Sequence, residues 1–146
     1  MQDAFGGLLS MGIIIFFLVL VSGILGFTYS YAKAFRMKDY VITTFEQYDA
    51  LGCTSDINSS DDTACKNLIR QKANQLTYNT NMSCRGSEGE EKGINGLFCY
   101  KRKDINGRLI YEITTQVNIE IPIINNLFGL KIFQVHGSTR ELKKFD

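Results

Sequence analysis

Residues 8–27, LLSMGIIIFFLVLVSGILGF, run for twenty positions without a charge, and fourteen of the twenty are Leu, Ile, Phe or Val. A helix rises about 1.5 Å per residue, so twenty residues reach about 30 Å, the thickness of a bilayer's hydrocarbon core. The apolar cores of signal peptides are shorter, ~7–15 residues. At roughly −0.3 to −0.6 kcal/mol for each large apolar residue at mid-membrane, insertion outweighs the cost of the serines and glycines in the run. A soluble helix this apolar on every side would need a large protein around it. The chain has 146 residues, and only about 100 of them remain outside this helix and its continuation. The expected division is a membrane-spanning and projecting helix over 1–51 and a small globular domain over 52–146.

The pattern does not break at Phe27. From Thr28 to Leu51 there is no Gly or Pro, and Phe27, Tyr31, Ala34, Val41, Phe45 and Tyr48 recur at spacings of three, four or seven. This predicts an amphipathic helix continuing the span, with one apolar face to cover beyond the bilayer. Inside the apolar run, Gly12, Val19, Gly23, Gly26 and Ser30 fall close to one helical line, and Ser22 and Gly26 form a small-xxx-small pair. Such lines let helices approach closely in lipid, so they are candidate helix-packing residues.

A formal net charge of +1 supplies no field for nucleic acid, and none of its binding is expected. The four cysteines, Cys53, Cys65, Cys84 and Cys99, all lie outside the apolar run. An even count in a small domain points to two disulfides and an oxidising compartment. Of the three connectivities, local closure favours Cys53–Cys65 and Cys84–Cys99; a zinc site lacks a C-x₂-C knuckle or a nearby His. Lys33, Arg36 and Lys38 after the helix, against Asp3 alone before it, pull the domain toward the cytoplasm. The cysteines pull it outward, and the outward placement is adopted here.

Between Gly52 and Asp62 the chain is rich in turn formers, and Ser59, Ser60 and Asp61 are candidate caps for a helix from Asp62 to Leu76. Leu68, Ile69, Lys72 and Leu76 give that helix one apolar side. Asp56, Asn58, Ser60 and Asp62 alternate like a calcium loop, but Gly and Glu are missing where such a loop needs them. From Thr77 the period becomes two. Expected are a weak strand Thr77–Arg85, a loop GSEGEEKGING, a strand Leu97–Lys103 and a turn at Asp104–Gly107. Leu109 to Ile121 then alternates apolar and polar through thirteen residues, the signature of a strand with one face on a core. Pro122 and Asn125-Asn126 end it, and Leu130–Leu142 should return beside it. The expected fold is α+β: a long N-terminal helix laid across a small antiparallel sheet.

No catalytic constellation is legible. His136, the one histidine, sits in a strand pattern with no partner at a useful spacing, and Glu88, Glu90 and Glu91 lie in one Gly-rich run. No phosphate loop or nucleophile motif occurs. No enzyme, cofactor or metal is expected.

The apolar N-terminal helix with its amphipathic projection, followed by a disulfide-bearing sheet domain, resembles type IV pilins and pseudopilins. The tail VNIEIPIINNLFGLKIFQVHGSTREL, with its Phe128-Gly129 turn and Gly137-Ser138, is similar to the tail of TadE-like minor pilins. The middle of the chain, residues 52–96, carries no resemblance. The resemblance implies a non-enzymatic subunit, held in a bacterial membrane before assembly and joined to copies of itself or related subunits through the N-terminal helix by a pilus assembly machinery. Pilins place a Glu near the mature N-terminus to pair with a neighbour's amine. Phe5 occupies that neighbourhood here, which leaves Asp3 as the candidate for an assembly charge pair. The other function class open to this architecture is a monomeric membrane-tethered extracytoplasmic domain that binds a ligand.

Overall fold

The computed structural model describes residues 2–50, 52–54, 64–84, 89–118 and 132–143. Helix α1 runs Gln2–Gln47 without interruption, 46 residues, and α2 spans Ala64–Gln75. Strands β1 (Glu90–Gly93), β2 (Phe98–Ile105), β3 (Arg108–Asn118) and β4 (Ile132–Ser138) form an antiparallel sheet in that order, and a two-residue β5 (Leu142–Lys143) pairs with the start of β3. The fold is α+β, with the sheet packed on the C-terminal half of α1.

The alternation along β3 does what its period dictates. Leu109, Tyr111, Ile113, Thr115 and Val117 are all buried against the helix. They meet Ala34, Met37, Val41 and Phe45 of α1, each fully buried. Phe45 is the centre of an aromatic cluster, with ring centroids 5.8 Å from Phe98, 6.1 Å from Tyr100 and 5.5 Å from Tyr111. Thr115 Oγ1 donates to the Ala34 carbonyl at 3.0 Å, tying sheet to helix through a polar atom that burial would otherwise strand. The core thus draws on residues from both sides of position 51. Met37 completes the spacing 34, 37, 41 that the aromatic positions only sketch. Tyr31, expected on the covered face, is instead 43% exposed, because the side of α1 that meets the sheet passes through Ser30 and Ala34.

Other expectations need correction. Residues 77–84 are not a strand: Thr77 takes a left-handed φ of 51°, which breaks the extended path. The backbone groups of Gln116 are met by a side chain rather than a ladder, since the Tyr78 hydroxyl donates to the Gln116 carbonyl at 2.8 Å and accepts from its N–H at 3.0 Å. The Gly-rich run read as a loop contains β1, whose Gly93 pairs with Phe98 and lies under its ring; a Cβ there would sit 2.2 Å from the ring edge. Glu90 and Glu91 are therefore strand residues, with Glu91 accepting from the Tyr100 hydroxyl. The returning strand is broken in two. Ser138 pairs with Glu112 and Leu142 with Leu109, so three residues on one strand oppose two on the other, a β-bulge at Thr139–Glu141. The bulge turns Arg140 toward α1, where Glu46 accepts from its backbone N–H at 2.9 Å and lies 3.2 Å from its Nε. The turn at Asn106-Gly107, with φ of 55° and 79°, is the two-residue hairpin expected of that dipeptide. The proposed caps Ser59, Ser60 and Asp61, the calcium-like positions from Asp56 to Asp62 and the Pro122 turn lie outside the described residues.

Candidate assembly and membrane surface

Helix α1 has two surroundings. Its C-terminal half packs one face on the domain; from Gly6 onward its other half is long and apolar enough to cross a membrane, with a mean hydropathy of 2.8 over eighteen residues. Leu8 is 73% exposed, Phe16 64%, Leu18 65% and Leu25 65%. A contiguous apolar surface on this scale marks a membrane or a protein partner.

The border between the halves is chemically distinct. Tyr29 is 65% exposed and Phe35 42%, and the Lys33 ammonium stands 4.5 Å from the centre of the Tyr29 ring. An amphipathic tyrosine ring with a basic side chain beside it suits a membrane–water boundary, where one end of each is apolar and the other wet. Lys38 lies above this border with its stem buried: its ammonium is 3.9 Å from the Phe35 ring and 3.0 Å from Asp39 Oδ1.

The candidate helix-packing residues do not share one environment. Gly12 has open space where a Cβ would stand and Val19 is 46% exposed, whereas Gly26 and Ser30 are half-buried and Gly23 is buried. Asp3 is in the first turns of α1, and its side chain lies outside the described residues.

Both disulfides form between cysteines near in sequence. Cys53–Cys65, with Cα atoms 5.3 Å apart, closes the connection from α1 to α2, and Cys84–Cys99, at 5.7 Å, fastens residues 77–84 to β2. His136 is exposed on β4, its Nδ1 2.9 Å from the Thr114 hydroxyl across the strand pair. Among the described residues no group of three or more His, Cys, Asp or Glu side chains is placed to hold a metal. No protein-family model matches the chain, and comparison with curated proteins and with solved structures finds no match.

Proposed function

We propose that the chain is a non-enzymatic structural subunit of a type IV or Tad-like pilus or pseudopilus, held in a bacterial membrane by its N-terminal helix before assembly, with the disulfide-bearing domain outside the cytoplasm. One observation carries this reading: a single 46-residue helix serves the domain as a core element over one half and presents a bare apolar surface over the other. A tether needs only a span of about 20 residues and tolerates a flexible joint. Here the apolar half and the core half are one uninterrupted helix, which suits a subunit whose domain must be placed relative to a helical bundle. The test is to shear native cells, collect the high-molecular-weight fraction and label it with antibody to the domain. Labelled filaments are the expected result. The chain found only in membranes, and only as a monomer after chemical crosslinking, would replace this reading with that of a tethered binding domain.

A further inference from the structure

Tyr29, Lys33, Arg36 and Tyr40 follow the apolar run at steps of four, three and four, so at about 100° per residue they stay within about 60° of the circumference of α1. Downward, the same line passes through Leu25 and Leu18, each 65% exposed, so the side of the helix that would face acyl chains becomes the charged side above them. It lies about a third of a turn round from the side that packs on the sheet through Ala34, Met37, Val41 and Phe45. The Lys33 ammonium stands 4.5 Å from the centre of the Tyr29 ring, and Lys72 of α2 brings a third cation to the upper end of the line, 5.2 Å from the centre of the Tyr40 ring.

No acid lies on this line. Between Leu18 and Tyr40 the one acid in α1 is Asp39, which stands to the side and is held 3.0 Å from Lys38. Among the described residues Lys33, Arg36 and Lys72 make no ion pair, whereas Lys103, Arg108 and Arg140 each meet a glutamate. Height separates two of the three cations from the other. Lys33 and Arg36 are about 9 and 14 Å above Phe27 along the helix axis, and the headgroup layer on each side of a bilayer is about 5–8 Å deep. Helical side chains lean toward the N-terminus of their helix, which here is the membrane side. Lys33 shows this directly, since the ring beneath its ammonium is one turn nearer the apolar run. Leaning the same way, Arg36 comes down toward the headgroups, while Lys72, beside Tyr40 at about 20 Å, stays above them.

We propose that Lys33 and Arg36 hold the phosphates of anionic phospholipids where α1 leaves the bilayer, with the Tyr29 ring packed between the Lys33 ammonium and the acyl region. A lipid phosphate supplies the charge that this line lacks: the Arg36 guanidinium meets two of its oxygens at once and Lys33 acts as a point charge. The inference rests on the membrane span and not on assembly, and it holds for either orientation of the domain. With the domain outside the cytoplasm, the two cations run against the usual distribution of charge about a span, and phosphates of the leaflet beside them provide the balance.

Spin-labelled phosphatidylglycerol and phosphatidylcholine, each in phosphatidylcholine vesicles containing the full-length chain, test this through the fraction of label immobilised by protein. Phosphatidylglycerol should be preferred about five-fold, the effect of one cation at a lipid surface. The preference should shrink in 1 M salt, where the screening length is about 3 Å. Lys33→Gln/Arg36→Gln should bring the two lipids level, and Lys33→Arg/Arg36→Lys should keep the preference. Lys72→Gln/Lys92→Gln removes the same charge above the border and should keep it too. Equal immobilisation of the two lipids by the wild type overturns the proposal. So does a loss in Lys72→Gln/Lys92→Gln as large as that in Lys33→Gln/Arg36→Gln, which would make net charge, and not this line, the cause.

Discussion

At Gly137 the absence of a side chain is what lets β4 approach α1. A Cβ there would stand 2.7 Å from Ile42 Cδ1 and 2.9 Å from Lys38 Cδ, and the Lys38 side chain is buried, with its ammonium held 3.9 Å from the centre of the Phe35 ring. Gly137→Val should therefore cost about 1–3 kcal/mol, the usual range for overpacking a filled interface, read as a lowered urea midpoint in detergent-solubilised full chain. An unchanged midpoint would mean that the helix moves away from the sheet at little cost. Tyr78 makes a different kind of contact, since its one hydroxyl serves both polar groups of Gln116. Burial raises the phenol's pKa above its ordinary value of 10, against the opposing hydrogen bonds from Thr80 and Gln116. The folded state thus holds that proton more tightly than the unfolded state, so the associated stability is complete below about pH 10 and is lost as pH rises through the folded value. Unfolding free energy should fall between pH 9 and pH 11 in the wild type and fall less in Tyr78→Phe. Equal slopes would show that Tyr78 is not the group responsible. At neutral pH the same variant leaves two backbone groups of Gln116 without that partner, a loss of about 1–3 kcal/mol.

At the scale of elements, the irregular stretch 77–84 depends on covalent and side-chain ties in place of a ladder. The Cys84–Cys99 bridge closes a separation of 15 residues, for which chain entropy gives about 3 kcal/mol. Cys84→Ser/Cys99→Ser should lose that amount and should release residues 77–84 first, visible as faster amide exchange at Met82, whose N–H donates to the Gly96 carbonyl. Uniform loss of protection across the sheet would instead make the bridge a support of the whole domain. The same stretch shows what a sequence can and cannot disclose. β3 was legible because Leu109, Tyr111, Ile113 and Val117 set a period of two through it, and α1 because neither Gly nor Pro interrupts its second half. The strand expected at Thr77–Arg85 failed on one backbone angle and one tyrosine hydroxyl, neither of which has a period. β1 is hidden for the opposite reason: EEKG has almost no strand character of its own, and it is held by pairing with β2 and by a glycine that fits beneath Phe98. Of the candidate surface, the long apolar run was plain, while the unlike environments of Gly12, exposed, and Gly23, buried, are not visible in their spacing.

For the whole molecule, the open question of orientation has a direct measurement. Cys84 is half-exposed while Cys99, Cys53 and Cys65 are buried, so mild reduction should make Cys84 the first thiol to react with a membrane-impermeant maleimide. Intact cells should be labelled after reduction and not before it. Labelling that appears only after lysis would place the domain in the cytoplasm and end the pilus reading. The uninterrupted course of α1 has a mechanical meaning as well. About 70 Å of helix with no hinge along its length acts as a shaft: the angle at which its lower end sits among its neighbours is handed, undiminished, to the sheet. Glu46 and Thr115 key the sheet to that shaft near its top and its middle, so the domain cannot turn about it independently. Each residue inserted below Phe27 would swing the domain by about 100° and raise it by about 1.5 Å, converting a change of length into a change of heading.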